Sequence, residues 1–166
     1  AVAMCGFISG AKVLAQNTVG RKVPCLTFLA EAFLRLFNSI RFGKAANFNS
    51  LKSLQKTDKP VYLIYGSSDK TVSFRGNGAI FAKKFAESSN ITCKICEGKA
   101  HNPYLTMDAE RAMNQTFSEI AKQRKKNPVR ALQMYKEIDY AKIMEEDSEV
   151  MRSIAEYCDR LADKKC

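Results

Sequence analysis

Val61-Tyr62-Leu63-Ile64-Tyr65 is an unbroken apolar run, entered through Lys59-Pro60 and left through Gly66-Ser67-Ser68-Asp69. A strand with one face in water alternates apolar and polar residues. A run with no polar break belongs to a strand covered on both faces, as in a parallel sheet. Parallel strands need long crossover connections, usually helical. The flanking sequence reads that way. Residues 1–7 are a second short apolar run, closed by Ser9-Gly10, and read as a buried strand. Residues 90–96 read as a third. Residues 78–88 are helical by spacing, with Ile80, Phe81 and Phe85 near one stripe. Residues 108–126 form a long helical pattern with Met113, Phe117, Ile120 and Ala121 on one side. The order strand, helical connection, strand, helix, strand, helix predicts an α/β fold with three parallel strands.

Between the first two strands the signals are mixed. Leu26, Leu29, Phe33, Leu36, Phe37 and Ile40 recur at helical spacing. They predict a helix over residues 26–40 on an otherwise irregular connection spanning about 11–57. Asn127-Pro128 breaks the chain after the long helix. From there Leu132, Tyr135, Ile138, Ile143, Val150, Ile154, Tyr157 and Leu161 keep helical periodicity. The organisation expected is therefore an α/β part over 1–126 and a helical C-terminal extension over 127–166.

Composition removes several classes. The chain has 166 residues, 46% of them apolar, enough for a core and too many for a disordered chain. The longest apolar candidate, residues 23–37, is interrupted by Glu31 and Arg35, so no membrane span is expected. The formal charge is +10. Residues 1–60 carry nine Lys/Arg against two Asp/Glu, whereas residues 127–166 carry seven against nine. The basic residues are dispersed, apart from Arg124-Lys125-Lys126. No zinc-finger spacing or RNA-binding aromatic signature accompanies them, so a solvated basic surface is expected and no nucleic-acid partner. Six cysteines stand at 5, 25, 93, 96, 158 and 166. The single C-x-x-C, Cys93 to Cys96, has no second pair, and the chain has one histidine. Residues three apart in a strand also face opposite ways. Buried thiols in a reducing cytoplasm are expected, with a thiol-redox module through Cys93 and Cys96 as a minor reading.

Two loops carry the chemistry. Asp69 lies just past the strand at 61–65. His101 lies just past the strand at 90–96, 32 positions later. In open α/β sheets, ligands bind outside the carboxyl ends of the strands. A carboxylate beside an imidazole fixes its tautomer and stabilises the imidazolium. The pair is half of an acid–base site and needs a nucleophile. Asp58 precedes its strand, at the wrong end of the sheet. Asp108 reads as capping or charging the first turn of its helix. Ser9, Ser67 and Ser68 lack the strained strand-to-helix turn that exposes a nucleophilic serine. Phe28, Phe33 and Phe37 line the helical stripe at 26–40, as a candidate substrate pocket or a cover for the sheet.

The segment from Lys59 to Val72, with Pro60, an apolar run, then Gly66, Asp69 and Val72, resembles the acid-bearing strand and loop of the α/β-hydrolase superfamily. Glu97-Gly98-Lys99-Ala100-His101-Asn102 resembles its histidine loop. The resemblance covers about residues 1–125 and is nearest to bacterial serine hydrolases related to prolyl peptidases and lysophospholipases. It places residues 1–7 as the strand after the nucleophile helix, residues 9–57 as a lid insertion and 108–126 as the closing helix. It implies that Asp69 and His101 are triad members. The superfamily's G-x-S-x-G nucleophile motif is absent from this chain; Gly6-Phe7-Ile8-Ser9-Gly10 has its serine misplaced by one. The apolar run at residues 1–7 has no basic stretch before it within the sequence, and position 1 is not a methionine. The expectation is a C-terminal fragment of a serine hydrolase that cleaves an ester or amide through an acyl-enzyme, inactive alone. Its partner would be a small-molecule ester or peptide substrate in the longer parent. No cofactor and no metal is implied. An unpaired sheet edge would favour self-association, so a homo-oligomer is possible. The alternative is a non-catalytic binding protein with the same fold, acting through its basic surface.

Overall fold

A computed structural model of the chain describes residues 1–163, and for Lys44 and Ala45 the backbone alone. Cys166, one of the six cysteines, lies outside the described residues. Contacts divide the chain into two compact units, Ala1–His101 and Asn102–Cys166.

The first unit is built on a three-strand parallel sheet in the order β1-β2-β3, with β1 at Val2–Met4, β2 at Val61–Gly66 and β3 at Ile91–Cys96. Met4 aligns with Ile64, and Gly66 with Cys96. With its flanking helices this is the α/β architecture predicted. β2 is the central strand and every residue of it is buried, as its unbroken apolar run requires. β1 differs from expectation. It pairs on one side only among the described residues, and Ala3 and Met4 are exposed. An apolar run without alternation does not distinguish an edge strand from a central one.

The connection from β1 to β2 is more regular than expected. It holds α1 (Gly10–Asn17), α2 (Val19–Lys22), α3 (Thr27–Phe42) and α4 (Ser50–Leu54), with 3-10 turns at Pro24–Leu26 and Lys44–Asn47. Short helices show little periodicity, and their ends are set by local chemistry instead. Asn49 caps α4 by accepting from the Lys52 amide at 3.0 Å. α3 stops at Gly43, whose φ of +73° favours glycine. The α3 stripe remains largely in solvent: Leu29, Phe33, Leu36, Phe37 and Ile40 are all exposed.

The core of this unit is Ile8, Val61, Leu63, Tyr65, Phe81, Phe85 and Ile91. Phe81 and Phe85 come from α5 (Gly78–Lys84) and the residue that ends it. The Tyr65 and Phe81 rings stack at 5.9 Å. Burying one such side chain contributes about 1.5–3 kcal/mol. Helix and sheet meet closely at the start of α5: a Cβ on Gly78 would lie 2.6 Å from the Phe74 ring and 2.8 Å from that of Tyr65.

The second unit contains α6 (Met107–Lys126), α7 (Pro128–Lys136), α8 (Tyr140–Ile143) and α9 (Ser148–Asp163). Thr106, not Asp108, caps α6, accepting from the Ala109 amide at 3.1 Å. Asp108 lies in the first turn, where a carboxylate suits the helix dipole, and pairs with Arg111 at 2.9 Å. Asn127 caps α7, and Pro128 begins it, a position that needs no backbone N–H. Of the apolar series in this extension, Ile143, Val150 and Tyr157 are buried, while Leu132 is exposed. No helix among the described residues is long and apolar enough to cross a membrane.

Candidate active site

Asp69 and His101 reach the same place from adjacent parallel strands. β2 ends at Gly66 and β3 at Cys96, which are register partners, so the loops leaving them run side by side. Several hydrogen bonds stitch them together. The Ser67 amide donates to the Cys96 carbonyl at 3.1 Å, and the Ser68 amide to the Lys99 carbonyl at 2.9 Å. The Gly98 amide donates to Ser67 Oγ at 2.9 Å. Gly98 turns the chain with a φ of +75°. Gly66 has a different constraint: a Cβ there would stand 2.0 Å from the Ala100 carbonyl oxygen and 2.4 Å from that of Lys99. Only glycine lets the histidine loop pass over the end of β2.

The carboxylate of Asp69 is held at both oxygens. Oδ1 accepts from the amides of Thr71 at 2.7 Å and Val72 at 3.0 Å. That local turn is a common use of aspartate. Oδ2 is left to face the ring of His101, and its distance to Nδ1 is 2.8 Å. The Asp69 side chain is 2% exposed and that of His101 39%. A buried acid thus orients a ring that is itself partly in solvent. With Nδ1 donating to the carboxylate, Nε2 is the unprotonated nitrogen and can accept a proton from a group outside.

The other residues singled out from sequence separate from this pair. Asp58 is exposed and pairs with Lys59 at 3.4 Å. Ser67 spends its oxygen on the Gly98 amide, and Ser9 is buried in extended backbone at the start of α1. Phe28, Phe33 and Phe37 lie on α3 with exposures of 67%, 66% and 49%. The Phe33 and Phe37 rings stack on each other at 6.5 Å. Within β3, Cys96 is buried and Cys93 half-buried. Burial pushes the Cys93 thiol up, the opposite of what an attacking thiolate needs.

Three residues of this region were not legible as functional. Cys5 follows β1 and its amide donates to the Ile64 carbonyl at 2.8 Å. Its sulfur, an Asp69 oxygen and a His101 nitrogen all lie within 4.8 Å of one another. The available signal was its position, directly after a strand like Asp69 and His101. Asn77 is fully buried, accepts from the Ile8 amide at 3.0 Å and donates to the Ser73 carbonyl at 3.2 Å. It ties the segment after β1 to the loop after β2. Tyr65 carries a buried hydroxyl with no hydrogen-bond partner among the described residues. Burial, with the thiols of Cys93 and Cys5 nearby, pushes its ionisation well above the ordinary tyrosine value. No protein-family model, no curated protein and no solved structure matches this chain.

Proposed function

We propose that this chain supplies the acid and the base of a serine hydrolase of the α/β-hydrolase type, acting on an ester or amide. The observation that carries the reading is the 2.8 Å contact between the buried Asp69 and His101, delivered from the ends of neighbouring parallel strands. His101 would take the proton of a serine through Nε2 and later give it to the leaving group. Asp69 would hold the tautomer and stabilise the imidazolium. The nucleophile and its oxyanion donors would come from a segment ahead of Ala1, because no serine of the described residues stands on a nucleophile elbow.

The test is labelling with a fluorophosphonate, which phosphonylates activated serines with loss of fluoride. The polypeptide extended through its upstream coding sequence should label on a serine ahead of Ala1, and His101→Ala should abolish both labelling and esterase turnover. Equal labelling and turnover in His101→Ala would sink the assignment. So would an extended protein that never labels.

The exposed apolar face of α3, with Phe28 and Ile40 at 67% and 78% exposure, favours a second reading: a binding protein in which Asp69 and His101 only brace two loops. An extended protein without labelling would favour it.

A further inference from the structure

We propose that Cys5, Asp69 and His101 form a site for a thiophilic divalent cation, of which zinc is the type, with one coordination position left to solvent. The three donors come from three separate segments: the end of β1, the loop after β2 and the loop after β3. Parallel pairing alone brings them together. Their ligating atoms lie within 4.8 Å of one another, and no other such group occurs among the described residues.

The dimensions suit zinc. Bond lengths of about 2.0–2.3 Å to nitrogen, oxygen and sulfur place neighbouring donor atoms of a tetrahedral site about 3.3–3.6 Å apart. The sulfur therefore needs to approach by no more than about 1.5 Å, and the 2.8 Å imidazole–carboxylate pair to open by about 0.5 Å. Side-chain torsions cover both movements. The carboxylate is already aimed, because the Thr71 and Val72 amides hold its other oxygen. Such outer contacts are what orient metal ligands. Cys5 is the one non-glycine residue with positive φ, at 48°, among the described residues. Backbone held in that region gathers at functional sites.

Donor chemistry chooses the ion. A thiolate, an imidazole and one carboxylate select zinc-like cations over magnesium and calcium, which want oxygen ligands. Cys5 and Asp69 are each 6% exposed, whereas the His101 ring is open to solvent. The open side gives the ion an entry and its fourth position a water. On binding, the Cys5 thiol releases its proton to solvent, the imidazole proton rests on Nε2, and the two anionic ligands balance the dication.

One consequence rests on the hydrolase reading above. A cation that holds Nδ1 and Asp69 leaves Nε2 protonated, so His101 cannot accept a serine proton. Zinc would then be an off-switch. Binding itself does not depend on that reading.

The test is titration of the full chain with cobalt(II) under a non-thiol reductant. Wild type should develop a thiolate-to-cobalt charge-transfer band and the visible bands of a four-coordinate ion, at one equivalent, displaced by zinc. Cys5→Ala should lose the charge-transfer band. His101→Ala should bind at least about tenfold more weakly, the smallest loss typical of perturbing a metal's surroundings. Cys93→Ala should behave as wild type. Since His101 is the only histidine, its ring proton resonances give a second readout on the unmutated chain, and zinc should move them. Absence of the charge-transfer band in wild type, its persistence in Cys5→Ala, or zinc leaving the His101 resonances in place would each overturn the proposal. Cobalt binding, with no fluorophosphonate labelling of the polypeptide extended upstream, would uphold this site and sink the hydrolase reading; labelling of the extended polypeptide without cobalt binding would do the reverse.

Discussion

Gly66→Ala tests how the acid and base loops are held together. The added Cβ would fall 2.0 Å from the Ala100 carbonyl oxygen, where real contacts are essentially never below 3.0 Å. The two loops must therefore part by at least 1.0 Å. A retreat of about that size stretches the Asp69–His101 contact from 2.8 Å past hydrogen-bonding range. It also strains the Ser68-to-Lys99 and Gly98-to-Ser67 bonds, both 2.9 Å. Overpacking costs about 1–3 kcal/mol, and each hydrogen bond lost costs about 1 kcal/mol. The expected destabilisation is about 2–4 kcal/mol. That is a large share of the roughly 5–15 kcal/mol that holds a typical domain together, but the chain should still fold. Urea denaturation measures the loss, and the ring resonances of the lone histidine report whether its carboxylate contact has gone. A cost below about 0.5 kcal/mol with those resonances unchanged would refute the close-approach argument.

Other substitutions probe the surrounding structure. Asn77→Ala leaves the Ile8 amide without its acceptor in a buried place and should cost about 1–3 kcal/mol in the same denaturation assay; a neutral result would mean that water replaces the side chain. Tyr65→Phe removes a buried hydroxyl that has no partner among the described residues, so it should be neutral or stabilising by up to about 1 kcal/mol, and clear destabilisation would reveal a partner. The same residue sets an alkaline limit. Its ionisation is raised in the folded state, so the native state keeps a proton that the unfolded state gives up. Stability should therefore fall as pH rises beyond about 10, the ordinary tyrosine range. In Tyr65→Phe this part of the decline should vanish; an identical alkaline profile would count against the burial argument.

The local elements were readable because their causes are local. The unbroken run at Val61 to Tyr65 announced a covered strand, and β2 is buried throughout. The spacing over residues 26–40 announced a helix, found as Thr27–Phe42. Asp69 and His101 could be named from their place after strands, since parallel strands bring those ends to one edge. The same sequence could not say that β1 would stand at the sheet edge, because burial of an apolar strand depends on what pairs beside it. Nor could periodicity say that the α3 stripe would stay exposed, since an apolar face records a capacity for contact and not the presence of a neighbour.

Distances across the sheet edge belonged to tertiary structure alone. Cys5 is 64 positions from Asp69 and 96 from His101 in the sequence, and only its place directly after an apolar run marks it. Parallel registry of β1 with β2 and of β2 with β3 brings all three side chains together. Gly66 has no chemistry of its own, yet its missing side chain lets the two loops touch. Sequence by itself marked the strands, the helical connections and the carboxylate and imidazole that meet at the sheet edge. Pairing of distant segments decided which third group joined them, because register is set by backbone hydrogen bonds summed along whole strands and by no single residue in them.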